Sequence, residues 1–99
     1  MIDFAHVTGF DWDTGNARKN DKHGVSMAEA EQVFFNQPLV VVSDVKHSQI
    51  ESRFCAMGKS DDARMLHITF TLRSSGKLLR VISARDMHRK ERTSYEQTP

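Results

Sequence analysis

Cysteine, proline and long apolar runs are scarce in this chain, and each shortage excludes a class of protein. Its 99 residues include one Cys and two Pro, so an internal disulfide is excluded. No stretch approaches the roughly 18 to 20 apolar residues of a membrane span. The start, Met1-Ile2-Asp3-Phe4, lacks the basic and apolar regions of a secretory signal. We therefore expect a cytoplasmic protein in which Cys55, within an apolar run, is a reduced and buried thiol.

Paired metal ligands are also missing. The five histidines are dispersed along the chain at His6, His23, His47, His67 and His88. None has a second histidine or a cysteine at the spacing of a zinc site. The sequence therefore argues against a metal site.

Length and composition favour one compact domain over residues 1–99. A hydrophobic content of 38% supports a single core, and we find no repeat, linker or low-complexity segment. The net charge of +1 conceals an asymmetry about Asp62: six Lys/Arg stand against ten Asp/Glu up to that residue, and eight against three after it. The basic end can attract nucleic acid or an acidic partner protein.

The pattern of the chain predicts an α+β fold in the order helix, helix, four strands, helix. Phe10 to Asp13 is typical of a short strand or an anchor whose aromatic side chains are buried, and Asp13 can cap a brief helix to Lys19 or Asn20. Ser26 and Glu29 have the spacing of a capping box. In the helix that follows, one apolar face is expected in the core, formed by Met27, Ala30, Val33 and Phe34.

The remaining elements are strands and a final helix. Strands are expected at 39–42, 53–59, 66–72 and 78–82, of which the last two form a hairpin. We expect all neighbouring strands to be antiparallel. Asp86 is expected to cap a helix that runs to about Tyr95.

That final helix concentrates positive charge. At helical spacing, one face would carry Arg85, His88, Arg89 and Arg92. The helix dipole disfavours cations in a first turn by roughly 0.3 to 1 kcal/mol each, so helix stability does not explain them. They can bind phosphate, or Arg85 and Arg89 can pair with acidic residues such as Asp86 and Glu91.

The segment Lys22-His23-Gly24-Val25-Ser26 is the candidate for proton transfer. Imidazole can move a proton near neutral pH, Gly24 permits a close backbone approach, and the capped helix start holds the loop. The alternative for His23 is a loop histidine bonded to backbone. For both basic clusters, a solvated surface without chemistry is the other reading.

These residues together resemble the BrnT family of bacterial type II toxins, which share the fold of RelE-like ribonucleases. The resemblance runs from about Phe10 to Glu96. It is carried by segments in a fixed order: Phe10-Asp11-Trp12-Asp13, Gly15-Asn16 with Lys19, Lys22 to Ser26, Asp44 to Phe54, Ile82-Ser83-Ala84-Arg85, Met87 to Glu91 and Tyr95-Glu96.

The resemblance implies a metal-independent endoribonuclease that stops translation by cutting RNA. It also implies neutralisation by a BrnA-type antitoxin, a ribbon-helix-helix protein whose complex with the toxin binds DNA. The family's site positions correspond to Lys22, His23, Glu51, Arg53, Arg80 and Arg85. Relatives often carry two acidic residues before the arginine, whereas this chain has Glu51-Ser52-Arg53.

We expect a ribose 2′-hydroxyl to attack the adjacent phosphate, with His23 or Glu51 taking its proton and no cofactor needed. Lys22, Arg53 and Arg85 would stabilise the phosphate charge. We expect Arg80 and the three cations of the terminal segment, His88, Arg89 and Arg92, to bind RNA. The competing hypothesis is a non-catalytic module, or an inactivated toxin, that binds nucleic acid or a repressor through the basic C-terminal helix.

Overall fold

The computed structural model describes residues 4–47 and 51–99. Part of the segment from Asp44 to Phe54, one of those that carry the resemblance, lies outside the described residues. In chain order the elements are β1 (Gly9–Phe10), α1 (Thr14–Lys22), α2 (Met27–Val33), β2 (Val40–Ser43), β3 (Phe54–Lys59), β4 (Met65–Arg73), β5 (Leu78–Asp86) and α3 (Arg89–Glu96). Short 3₁₀ turns lie at Phe4–His6 and Val45–His47.

The strands form one five-stranded sheet in the order β1-β5-β4-β3-β2. The α+β class is confirmed, but the expectation of about four strands that are all antiparallel is wrong, since β1 pairs with β5 in parallel. The backbone N–H groups of Thr8 and Asp11 donate hydrogen bonds to the carbonyl oxygens of Lys77 and Leu79, and these bonds hold residues 8–11 along the edge of the sheet. A strand of two residues is too short for an alternating pattern of side chains, and it is held by backbone hydrogen bonds. The sequence therefore did not indicate its direction.

Both predicted helix starts are present. Ser26 caps α2, and its Oγ accepts from Glu29 N at 3.0 Å while Glu29 Oε1 accepts from Ser26 N. At the start of α1, the carboxylate of Asp13 accepts from Asn16 N at 3.1 Å. Within α2, Ala30 and Val33 are buried as expected, but Met27 is 46% exposed, and its assignment to the core is wrong. The contact with the sheet is made further along the helix, where Val33 packs over Gly58 of β3.

The core lies on one face of the sheet. Alternate residues of β3, β4 and β5 are buried there, and aromatic rings close around Phe70, with Phe34 at 5.2 Å and Phe54 at 5.6 Å between centroids. Burial of these side chains supplies most of the driving force for folding. Cys55 points away from this core and is half-buried, and burial raises the pKa of its thiol.

The C-terminal segment differs from the expectation. β5 continues to Asp86, which pairs with Leu66, and α3 begins only at Arg89 with His88 as its N-cap. Arg85 therefore lies on a strand, and the predicted helical face of Arg85, His88, Arg89 and Arg92 does not exist. The ladder to β4 satisfies the backbone of residues 83–86, whereas a helix start at Asp86 would break those bonds.

On β4 and β5, the face of the sheet opposite the core is mostly polar. β5 carries one extra residue opposite the Thr69/Phe70 step of β4, because Phe70 pairs with Val81 and Thr69 with Ser83. This bulge at Ile82 keeps Arg80, Ser83 and Arg85 all on the polar face. No helix among the described residues is long and apolar enough to cross a membrane.

Candidate functional site

A pocket opens where α1, the segment before β3 and β5 meet. Its volume is about 280 Å³, and it is lined by Gly15, Asn16, Lys19, Glu51, Arg53, Arg80 and Ile82. Three cationic side chains and one carboxylate thus share a small cavity at the edge of the polar face. Of the predicted site residues, the fold brings Glu51, Arg53 and Arg80 together here.

Asn16 fixes the helix that forms one wall of this pocket. Its side chain is buried, and its amide donates to the carbonyl oxygens of Asp11 and Val81, each at 2.9 Å. Its Oδ1 also accepts from Asp13 N at 2.7 Å. One side chain therefore links the entry to α1, the helix itself and β5 beside the bulge. Lys19, one turn further along α1, reaches the pocket as a result.

The charges inside the pocket are partly compensated. Arg80 is mostly buried, and its guanidinium lies 2.9 Å from Asp13 and 3.5 Å from Asp11. Glu51 lies 3.3 Å from Arg73. Two carboxylates therefore hold Arg80 in the wall of the pocket.

Arg85 belongs to a second cluster on the same face. Its Nη1 and Nη2 lie 2.8 and 3.0 Å from the two carboxylate oxygens of Glu91, and Nη1 also donates to Asp86 O. This fork lowers the pKa of Glu91 to about 2. His67, which pairs with Arg85 across the strands, lies 3.7 Å from Glu91, and burial lowers the pKa of its imidazole.

The Lys22-His23-Gly24 segment lies at the other end of α1, and both Lys22 and His23 are exposed. Arg64 anchors the turn, since its Nη1 donates to Gly24 O at 2.8 Å while its guanidinium also pairs with Glu29 and Asp86. Lys22 follows Lys19 by three positions, so both lie on the same side of the helix. Neither Lys22 nor His23 lines the pocket.

The remaining predicted RNA-binding residues lie around the start of α3. His88 and Arg89 are exposed, whereas Arg92 donates to the carbonyl of Met87 at 2.9 Å. The alternative of an internal ion pair holds for Arg85, which pairs with Glu91. The RNA contacts of His88, Arg89 and Arg92 stay predictions.

Sequence reasoning did not assign a site role to Lys19, Asn16 or Glu91. Two spacings could have indicated them: Asn16 stands three residues after the capping Asp13, and Lys19 stands one turn before Lys22. The contact between Arg85 and Glu91 was one of the alternatives that the charge pattern left open, and it depends on α3 starting at Arg89. Among residues 4–47 and 51–99, no group of three or more His, Cys, Asp or Glu side chains could hold a metal ion.

A small α+β domain with a cationic pocket beside one carboxylate is consistent with a protein that acts on phosphodiesters. Comparison with protein families gives a more specific result. Residues 12–91 match the family described as ribonuclease toxin, BrnT, of type II toxin-antitoxin system. The chain belongs to this family, as the resemblance in the sequence indicated. A search of curated proteins found no match.

Membership has two direct consequences. A toxin of a type II system has an antitoxin as its partner, and a ribonuclease toxin has RNA as its substrate. The match covers α1, the pocket, the sheet from β2 to β5 and the first three residues of α3. Both the pocket and the Arg85 cluster therefore lie within the matched residues.

Proposed function

We propose that this chain is an endoribonuclease that cuts RNA without a metal ion, through attack of a ribose 2′-hydroxyl on the neighbouring phosphate. The observation that carries the proposal is the pocket that Lys19, Arg53 and Arg80 line together with Glu51. Guanidinium and ammonium groups bind phosphate oxygens, and a carboxylate beside them can accept a proton.

Each residue of the site has its own role in the proposed reaction. Glu51 takes the proton of the 2′-hydroxyl, whose oxygen bonds to phosphorus, and the bond from phosphorus to the 5′ oxygen breaks. The products are a 2′,3′-cyclic phosphate and a 5′-hydroxyl, whose proton comes from solvent, because His23 lies outside the pocket. Arg53 and Lys19 stabilise the charge on the phosphate oxygens. Arg80 holds the wall, while Lys22 and Arg85 contact the RNA backbone outside the pocket.

The proposal also extends to the fold and to the partner protein. We infer the RelE-like arrangement of ribonuclease toxins and a BrnA-type antitoxin of the ribbon-helix-helix class, which supplies the DNA contacts of the complex. Cleavage of RNA by the chain alone would stop translation. An antitoxin that covers the pocket would prevent this.

The test is cleavage of a defined RNA by the purified chain in excess EDTA. We expect cutting that leaves 2′,3′-cyclic phosphate ends and that stops when antitoxin is added or when the ribose at the cut carries a 2′-deoxy group. Glu51→Gln and Lys19→Ala should each lower the rate by about 10² to 10³, the usual effect of one catalytic electrostatic group.

Arg18→Ala is the matched control for Lys19→Ala. Arg18 is exposed, precedes Lys19 on α1 and does not line the pocket, so its variant should cut at the wild-type rate. Loss of activity in EDTA that returns with a divalent ion would contradict the proposed chemistry. No cutting by folded protein, with or without ribosomes, would favour the binding-module hypothesis or an inactivated toxin.

A further inference from the structure

Glu91 makes more contacts than a surface ion pair needs. One carboxylate oxygen accepts from Arg85 Nη1 at 2.8 Å and from the backbone N–H of His88 at 2.8 Å, and the other accepts from Arg85 Nη2 at 3.0 Å. The side chains of Arg85 and Glu91 are 28% and 24% exposed. One carboxylate thus joins the start of α3 to a side chain of β5.

These contacts leave a defined edge of Arg85 available. Its guanidinium has five N–H donors. Glu91 accepts two of them and Asp86 O a third, and no described residue accepts from Nε or from the second hydrogen of Nη2. Those two donors lie side by side along one edge of the planar group, which is the geometry that matches two phosphate oxygens.

The position of this edge separates it from the pocket. Arg80 pairs with Thr71 and Arg85 pairs with His67, so the two arginines are four residues apart along β4, or about 13 Å at 3.3 Å per residue. Arg85 is held toward α3, the element that contains Glu91, and does not line the pocket. At about 3.4 Å per stacked nucleotide, this separation spans a few nucleotides of one strand.

We propose that Glu91 positions the Nε/Nη2 edge of Arg85 to hold a flanking phosphate of the bound RNA, away from the phosphate that is cut. The inference rests on the proposed function, because it takes RNA as the ligand. Glu91 is a positioning residue here, since it acts through Arg85. The fork from Arg85 in turn stabilises the charged carboxylate of Glu91 and lowers its pKa.

The kinetic test uses Glu91→Gln, which keeps an acceptor for His88 N–H but removes the charge and one side of the fork. We expect KM for a long RNA to rise about tenfold, the size of one charge-assisted contact, with kcat within about twofold of wild type. Arg85→Lys, which keeps the charge without the fork, should do the same. Glu96→Gln removes an exposed charge from the same helix and is expected to change neither constant.

A second measurement does not depend on cleavage. The Arg85 Nε–H signal, assigned in ¹⁵N NMR by its loss in Arg85→Lys, is followed during titration with a 2′-O-methyl RNA octamer, which cannot be cut, and with inorganic phosphate. We expect the octamer to shift the signal in wild type, and Glu91→Gln to abolish the shift. An equal response to inorganic phosphate at the same concentration would show a general anion site and overturn the assignment to RNA.

The two measurements separate the two proposals. A shift in wild type that Glu91→Gln abolishes supports the positioning role even if the chain cuts no RNA. Cleavage that is normal in Glu91→Gln, together with an Arg85 signal that the octamer does not move, overturns the inference and leaves the nuclease proposal standing. A shift that persists in Glu91→Gln overturns the role of Glu91.

Discussion

The side-chain amide of Asn16 donates to the carbonyl oxygen of Val81 at 2.9 Å, and this bond joins α1 to β5 beside the bulge at Ile82. Asn16 is buried, with 4% of its surface exposed. The bond places Lys19 and Arg80 on adjoining walls of the pocket. Asn16 thus connects the stability of the fold with the geometry of the candidate site.

Asn16→Ala should therefore destabilise the protein. The change leaves the carbonyl oxygens of Asp11 and Val81 without their donor, at a cost of about 1 to 3 kcal/mol. Urea unfolding should show a lower midpoint with an unchanged slope. Ala17→Ser, at the next and half-buried position of α1, is the comparison. An equal loss in both variants would contradict a specific role for the Asn16 bonds.

Gly58→Ala should destabilise by about 1 to 3 kcal/mol through overpacking. A Cβ at this position of β3 would meet Val33 Cγ1 at 2.8 Å, and a backbone oxygen lies at 3.4 Å. The contrasting variant is Gly24→Ala, where nothing lies within 4 Å but φ is +68°, so its cost is about 1 kcal/mol of backbone strain. Val33→Ala should partly rescue Gly58→Ala and leave Gly24→Ala unaffected in thermal unfolding.

Arg85→Ala should raise the pKa of Glu91. The fork from Arg85 is the main reason that this pKa stands at about 2, from an ordinary value of 4.5. Since the folded pKa is depressed, the stabilisation is present above about pH 4.5 and is lost as pH falls toward 2. A ¹³C titration of the Glu91 carboxyl should show the shift toward 4.5 in the variant. A carboxyl that still titrates near 2 would show that the cap at His88, and not Arg85, holds the charge.

His67→Gln should flatten the pH dependence of stability between pH 7.5 and 5.5. Burial, followed by the charge of Arg85, lowers the pKa of His67 below its ordinary 6.5 against the opposing effect of Glu91, and His88 lowers it further. The unfolded chain therefore takes up a proton at a pH where the folded protein does not, so wild type loses stability as pH falls through 6.5. Urea midpoints at the two pH values measure the effect. A wild-type midpoint that does not change would contradict it.

Arg64→Met should loosen the turn that carries His23. Arg64 joins Gly24 O, Glu29 and Asp86, and it lowers the pKa of the Asp86 carboxyl. Without these bonds, the backbone amides of residues 22–26 should exchange with solvent faster, while those of β4 stay protected. Hydrogen exchange followed by NMR tests this. Uniform protection across both regions would show that the turn does not depend on Arg64.

Much of the fold was predictable because its signals are local. The capping box of Ser26 and Glu29 depends on residues three apart, and the alternation in β4 reports its buried face directly. The end of β5 was not predictable in the same way. Residues 83–86 include charged side chains that also suit a helix start, and only the ladder to β4, which ends at the Leu66–Asp86 pair, holds them extended.

The candidate site, like the fold, was predictable only in part. Glu51, Arg53 and Arg80 were named from the resemblance, and they line one pocket. Lys19 joins them because Asn16 fixes α1 against β5, a contact between residues 65 positions apart. Arg85 was named as well, and its pairing with Glu91 is the one of the open alternatives that the structure shows.

The amino-acid sequence was enough to predict the α+β class, the N-terminal caps of α1 and α2, the β4–β5 hairpin and membership of the ribonuclease toxin family. These follow from short-range patterns and from the order of motifs along the chain. Only the folded structure shows that β1 runs parallel to β5, that Arg85 lies on a strand, and that Lys19 lines the pocket. Such contacts depend on which distant backbone groups satisfy each other's hydrogen bonds, and a local pattern of side chains does not encode that choice.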